Sequence, residues 1–373
     1  MAPTPIVSPS NLPVATTPAP VAFACSSQIP SGSTLALATL RGSTDVVVRD
    51  ITDLSKPLTR CAFKSCSQWC ESYGPDFARF VTGSRISYIV RSGDGAGAMY
   101  LADLATQKTA LVRKWSAADN YFWVFAWSPD GNSLTYFTSD QWLIRTATGD
   151  VALSPLGKDL GYNFNRNSDS QMVGFSADGQ YAAVDQSIDL GTKQVDGGYG
   201  IQKGALFKVV RLSDKKVVYS RSDGTMAAWA GVGAHLYFRT SSGLEEWDPI
   251  NGRQLVVGGL AWTNPVPSAD GKRIAFLATD ANGHHFASEL RLTDQPLRPI
   301  TLSSLPRAGI AFLNPTVVWY AEEAACNQSP CRCDDAICEP FLTGRTYVHD
   351  LMTGTISASV LTAIADTWPR PGS

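Results

Sequence analysis

The chain has 373 residues, 44% of them apolar and only 17% charged, with a formal net charge of −2. That length is ample for one large core or two ordinary ones. So few and so balanced charges argue against nucleic acid as the main partner, and no apolar run reaches the roughly twenty residues of a membrane span.

In chain order, residues 1–20, "MAPTPIVSPSNLPVATTPAP", are rich in Pro, Thr, Ser and Ala and read as a disordered, extended spacer. The opening "MAPTPIVSPS" has neither the basic start nor the apolar centre of a secretory signal. The cysteines described below make this the spacer of an exported protein, so a signal or lipid anchor upstream of residue 1 is expected, with the chain secreted, periplasmic or at a cell surface. An ordinary disordered terminus of a cytosolic protein is the alternative. Residues 21–366 read as a single domain, and 367–373 as a disordered tail.

Within that domain one phrase recurs: "WSPDGNSLTYF" from Trp127, "FSADGQYAAVD" from Phe175 and "PSADGKRIAFL" from Pro267. Pro129 sets the first turn corner, Asp130 favours the second, and Gly131 accepts a positive φ, so the phrase is a turn followed by a strand. Aligned on the glycine, copies fall at Gly32, Gly83, Gly131, Gly179, Gly233 and Gly271, with Asn314 in the last. The 282 positions from Gly32 to Asn314 hold six steps, a mean of 47, which is the length of a four-stranded propeller blade. Each copy continues into a second strand ending in a polar turn, such as "DVVVRDITD" or "LFKVVRLSD", and then a short outer strand such as "KVVYS". The pattern predicts an all-β fold, a seven-bladed β-propeller of four-stranded antiparallel blades.

The phrases "WSPDGNSLTYF" and "PSADGKRIAFLATDANG…ELRLTD" resemble the Trp-Asp-like repeats of TolB-type propellers, most clearly from Tyr121 to Leu302. That resemblance implies the propeller fold, and it implies either partner binding, as in an envelope protein of that family, or attachment to a peptidase. It specifies fold far more strongly than function. The sialidase Asp box is excluded, because Asp130–Gly131, Asp178–Gly179 and Asp270–Gly271 are adjacent. "GFSADG" fails the nucleophile elbow at its fifth position, and no phosphate-binding or dinucleotide fingerprint is present. No cofactor and no metal site are expected.

The eight cysteines are Cys25, the group Cys61, Cys66 and Cys70, and the group Cys326, Cys331, Cys333 and Cys338. An even count crowded into loops reads as disulfides in an oxidising compartment, with zinc as the rival. The pairing is open, although the first and last units are neighbours in a closed ring. His235 is expected to pack or hydrogen-bond within a strand and His349 to lie in a strand of the last unit, while His284 and His285 fall on a polar hairpin tip.

Two sets of residues are candidates for a working face. Asp76, Asp119, Asp169 and Asp223 lie 7 to 12 residues before a turn glycine, in loops entering the innermost strands near the channel mouth. Such carboxylates bind a cation or serve acid–base chemistry, and they are also ordinary constituents of solvated turns. The loops "ADNYFWVF", "LGYNFNRNSD" and "GLAWTNPVP" present Tyr121, Phe122, Trp123, Tyr162, Asn163, Phe164, Asn165, Trp262 and Asn264. Aromatic rings beside amides suit recognition of a protein partner. The expected function is an exported scaffold that binds a protein through one channel mouth. A propeller enzyme acting on a glycan or small molecule through the carboxylates is the alternative, and a surface-layer or filament component a further one.

Overall fold

The computed structural model describes residues 19–40, 45–64, 78–91, 96–116, 125–137, 141–155, 171–195, 198–221, 225–258, 262–279, 285–291, 298–299, 307–323 and 342–369. Every regular element among them is a β-strand. Runs such as "RISYIVR" are rich in the β-branched and aromatic residues that suit strands, and Gly, Pro, Asp and Asn end them.

The strands are β1 (Phe23–Cys25), β2 (Leu35–Leu40), β3 (Val46–Asp50) and β4 (Leu58–Phe63), then β5 (Arg79–Thr82), β6 (Arg85–Arg91), β7 (Gly97–Asp103) and β8 (Lys108–Trp115). Next come β9 (Phe125–Trp127), β10 (Leu134–Phe137), β11 (Gln141–Thr146) and β12 (Gly149–Pro155). After them follow β13 (Gln171–Phe175), β14 (Tyr181–Val195), β15 (Gly198–Arg211) and β16 (Lys216–Arg221). The next group is β17 (Thr225–Trp229), β18 (Leu236–Thr240), β19 (Gly243–Asp248) and β20 (Gly252–Gly258). The chain continues with β21 (Trp262–Pro267), β22 (Arg273–Thr279), β23 (His285–Arg291) and β24 (Arg298–Pro299). It ends with β25 (Arg307–Asn314), β26 (Val317–Glu323), β27 (Leu342–Asp350), β28 (Ile356–Ala358) and β29 (Leu361–Trp368).

From β5 to β28 these strands form six four-stranded antiparallel sheets, each made of four consecutive strands. The fold is a β-propeller with four-stranded antiparallel blades. The expectation of four strands in every unit fails in the first sheet, which has five in the order β1-β4-β3-β2-β29. Its inner strand comes from the far end of the chain: β29 pairs β2 from Leu35 with Trp368 to Leu40 with Leu361. The N-terminal strand β1 instead extends the outer edge, pairing Phe23 with Phe63 and Cys25 with Cys61. Residues 367 and 368, expected in a tail, belong to β29.

The sheets hold together face to face. Leu35 and Leu37 of the first sheet pack with Phe80 and Ile86. Met99 then meets Leu134 and Tyr136, and Trp142 meets Phe175 and Val184. Phe207 meets Leu236 and Phe238, Leu244 meets Ile274 and Phe276, and Leu277 meets Phe312 and Tyr320. Trp319 and Ala321 finally reach Ala38 and Leu361 of the first sheet, so each sheet is buried by its neighbour around the axis.

The repeated turn is built by its serine and aspartate. Ser128 Oγ donates to Asp130 Oδ1 at 2.5 Å and accepts from the Ser133 amide at 2.9 Å. Ser176 does the same with Asp178 and Tyr181, and Ser268 with Asp270 and Arg273. The three serines are buried, so the phrase is construction. Gly131 and Gly179 both have positive φ, 69° and 68°. They differ in surroundings: a Cβ on Gly131 would lie 2.8 Å from the Val81 carbonyl oxygen, whereas nothing lies within 4 Å at Gly179. Gly179→Ala is expected to cost about 1 kcal/mol from φ alone, and Gly131→Ala about 2–3 kcal/mol. Urea unfolding of the two variants checks this; equal losses would count against it.

The turn carboxylates also set an acid limit. The Ser128 hydroxyl holds the Asp130 carboxyl below its ordinary range, and the Thr106 and Met352 amides do so for Asp103 and Asp350. The Arg211 guanidinium takes Asp214 from 3.8 to about 2. A carboxyl depressed on folding contributes stability above its unfolded value and loses it as pH falls through its folded value. The melting temperature is therefore expected to fall steadily from about pH 4 towards pH 2. A melting temperature that stays level across that window would contradict the assignment.

Candidate functional site

The inner strands β9, β13, β17, β21, β25, β29 and β5 follow one another around the axis. Between three of them, β21, β25 and β29, lies a cavity of about 360 Å³. Its walls are Pro265–Pro267, Ile310–Asn314 and Ile364–Thr367, with Thr34, Ala269, Pro315 and Pro369 at the rim. Asn314 and Pro267 end their strands, so the cavity opens on the face of the repeated turns.

Local sequence explains this shape. The register of β21 against β22 shifts between Thr263 and Val266, a bulge that accommodates Pro265, which has no amide to donate. Asn314 takes the place of the turn glycine and caps its own turn, its Oδ1 accepting from the Thr316 amide at 2.9 Å. Asp366 accepts from the Phe80 amide at 2.8 Å and from the Thr367 amide at 2.9 Å, so it joins β29 to β5 while its acidic edge borders the cavity. The result is an apolar chamber with one carboxylate, one amide and two threonine hydroxyls.

Tyr121, Phe122, Trp123, Tyr162, Asn163, Phe164 and Asn165 lie outside the described residues, as do Asp76, Asp119, Asp169 and Asp223. Trp262 and Asn264 belong to β21 and not to the loop before it, since Trp262 already pairs with Ala278. Pairing with β22 recruits them because the bulge, and not the strand start, absorbs the proline. Cys25 and Cys61 form a disulfide across a sequence separation of 36, within the first sheet. The other six cysteines and the hairpin tip with His284 lie outside the described residues. His349 lies in β27, as expected. The cavity residues Asn314, Asp366 and Thr367 carried one signal each at most. Asn314 breaks the glycine pattern, and "LTAIADTW" is an apolar stretch in what reads as the end of the domain.

No protein-family model matches the chain, and no curated protein aligns with it. Among solved structures it resembles a prolyl endopeptidase at 12% identity and a TM-score of 0.54, covering 88% of this chain and 50% of that one. An oligogalacturonate lyase from Vibrio parahaemolyticus matches at 10% identity and a TM-score of 0.50, with 77% of each chain covered. What they share with this chain is fold. TolB from Acinetobacter baumannii aligns over 96% of this chain and 88% of its own, at 15% identity and a TM-score of 0.42. The chain spans about half the length of the peptidase.

Proposed function

We propose that this chain is an exported propeller of seven blades that serves as a protein-binding scaffold through a mouth of its channel. The blade count takes the five-stranded sheet as the seventh blade, with β29 as its inner strand. The observation that carries the binding reading is the cavity between β21, β25 and β29. Apolar walls with a few oriented polar groups suit the insertion of a partner's side chains. The disulfide supports an oxidising compartment, hence export. Among the described residues no helix is long and apolar enough to cross a membrane.

Two mouths are available to a partner. One holds the cavity; the other is where the loops carrying Tyr162 and Phe164 are expected. The test is calorimetric titration of a partner captured by cross-linking in the native host, against two variants. Thr367→Trp fills the cavity, and Tyr162→Ala with Phe164→Ala strips the aromatic patch. The variant at the mouth the partner uses is expected to weaken binding at least about 100-fold, the loss typical of a central contact, with the melting temperature nearly unchanged. Intact binding in both variants would overturn the channel-mouth reading. The enzymatic alternative rests on Asp119 and Asp169, and Asp119→Asn separates the two: an enzyme loses most turnover, a scaffold binds almost as before.

A further inference from the structure

Away from the cavity, on the turn side of the sheet β17–β20, three metal-ligating side chains converge. Leu236 pairs with Trp247 and Tyr237 with Glu246, so His235 comes level with Asp248 on the same side of the sheet as Glu246. The candidate ligand atoms of His235, Glu246 and Asp248 all lie within 4.8 Å of one another. His235 Nδ1 stands 2.5 Å from Glu246 Oε1. We propose that these three residues form a site for a first-row divalent cation, zinc by its donor set.

Two independent features support a cation there. The first is rigidity: Asp248 is only 5% exposed. Its carboxylate is fixed by the amides of Ile250 at 2.8 Å and Asn251 at 2.7 Å and by the Asn251 side chain at 3.0 Å. Both amides bond Oδ1, whereas Oδ2 accepts only from the Asn251 side chain and keeps a lone pair for a metal. The second is charge. Four carboxylates are buried among the described residues: Asp50, Glu245, Asp248 and Glu322. Asp50 is held by Arg60, Glu245 by Arg253 and Glu322 by Arg345. Asp248 has no guanidinium; it faces Glu246 and an imidazole. The two carboxylates and the imidazole thus give a cation three donor groups at one point.

The donor set selects the metal. One imidazole nitrogen with two carboxylates is too few oxygens for calcium, which takes six to eight. It matches the three-ligand, open arrangement of zinc, with water in the remaining position. The His235 side chain is 44% exposed, so that position faces solvent. The site ties the start of β18 to the end of β19, and bound metal stabilises the folded chain in proportion to its occupancy.

The test is equilibrium dialysis of the metal-stripped, oxidised full chain against zinc and against cobalt, with wild type, His235→Ala, Glu246→Gln and the double variant. Asp248→Asn is unsuitable because Asp248 also builds its turn. One equivalent is expected in wild type, weakened by 10–100-fold or more in each single variant, whose metal-free melting temperatures stay near wild type. Zinc should raise the melting temperature of wild type and leave that of the double variant in place. The cobalt spectrum should lack thiolate charge-transfer bands, which separates this site from the cysteines. Equal binding by wild type and the double variant overturns the proposal, as does a thiolate spectrum alone. An imidazole titration of His235 that zinc leaves unchanged also overturns it and makes the cluster a simple hydrogen-bonded pair.

Discussion

A chain ending at Val360 is expected not to fold. The missing segment is β29, the inner strand of the first sheet, and β2 keeps β3 on one side but loses its other partner from Leu35 to Leu40. Leu361 leaves the cluster it shares with Trp319 and Ala321, and the Trp319 indole loses the Leu361 carbonyl that it donates to at 3.1 Å. On the other flank the buried Phe80 amide loses its acceptor, Asp366, and Trp368 no longer stands 6.4 Å from the Phe80 ring. Burial is thus removed on both sides of the ring's seam. The loss is on the order of the whole folding free energy, about 5–15 kcal/mol for an ordinary domain. Circular dichroism and gel filtration of the truncated chain check it, and a synthetic peptide of residues 359–373 is expected to restore structure in trans. Unchanged unfolding by urea would mean that β29 is an appendage. The single substitution Asp366→Ala samples the same seam more gently, at about 1–3 kcal/mol for one buried amide left without an acceptor.

Replacing Cys25 and Cys61 together by alanine is expected to cost about 3–4 kcal/mol, the loop-closure value for a separation of 36 residues. The bridge matters because β1 has only three residues and pairs with β4 alone. Without the covalent link, so short an edge strand has little to hold it. Its stacking of Phe23 on Phe63, with ring centres 4.9 Å apart, and the bond from the Tyr88 hydroxyl to the Val21 carbonyl go with it. The double alanine variant is preferable to reduction, since reductant reaches every cystine at once. Urea unfolding should show the lower midpoint, and limited proteolysis should cut between β1 and β2 faster than in wild type. A variant as stable and as resistant as wild type would show that β1 contributes nothing to the fold.

What was legible in the sequence was what is local. The Ser128–Asp130–Ser133 bonds span five positions, so the composition of the phrase carries the turn, and short apolar runs follow it as buried strands do. Repetition at a mean of 47 positions then implies stacked four-stranded units, because one such unit cannot bury its faces alone. The closure of the ring was not legible. Whether the first sheet takes its inner strand from before Gly32 or from the far terminus depends on contacts such as Thr39 with Thr362, 323 positions apart. Nothing in the local chemistry of "LTAIADTW" distinguishes an inner strand from an outer one. The same holds for Cys25 with Cys61, one pairing among many for eight cysteines, and for His235 with Glu246 and Asp248, which only strand register brings together. The sequence by itself determined the turns, the strands and their repeat, since these rest on short-range hydrogen bonding and short apolar runs. The tertiary structure decided the seam, the disulfide, the cavity and the His–Glu–Asp cluster, since each depends on which distant strands satisfy one another's open edges.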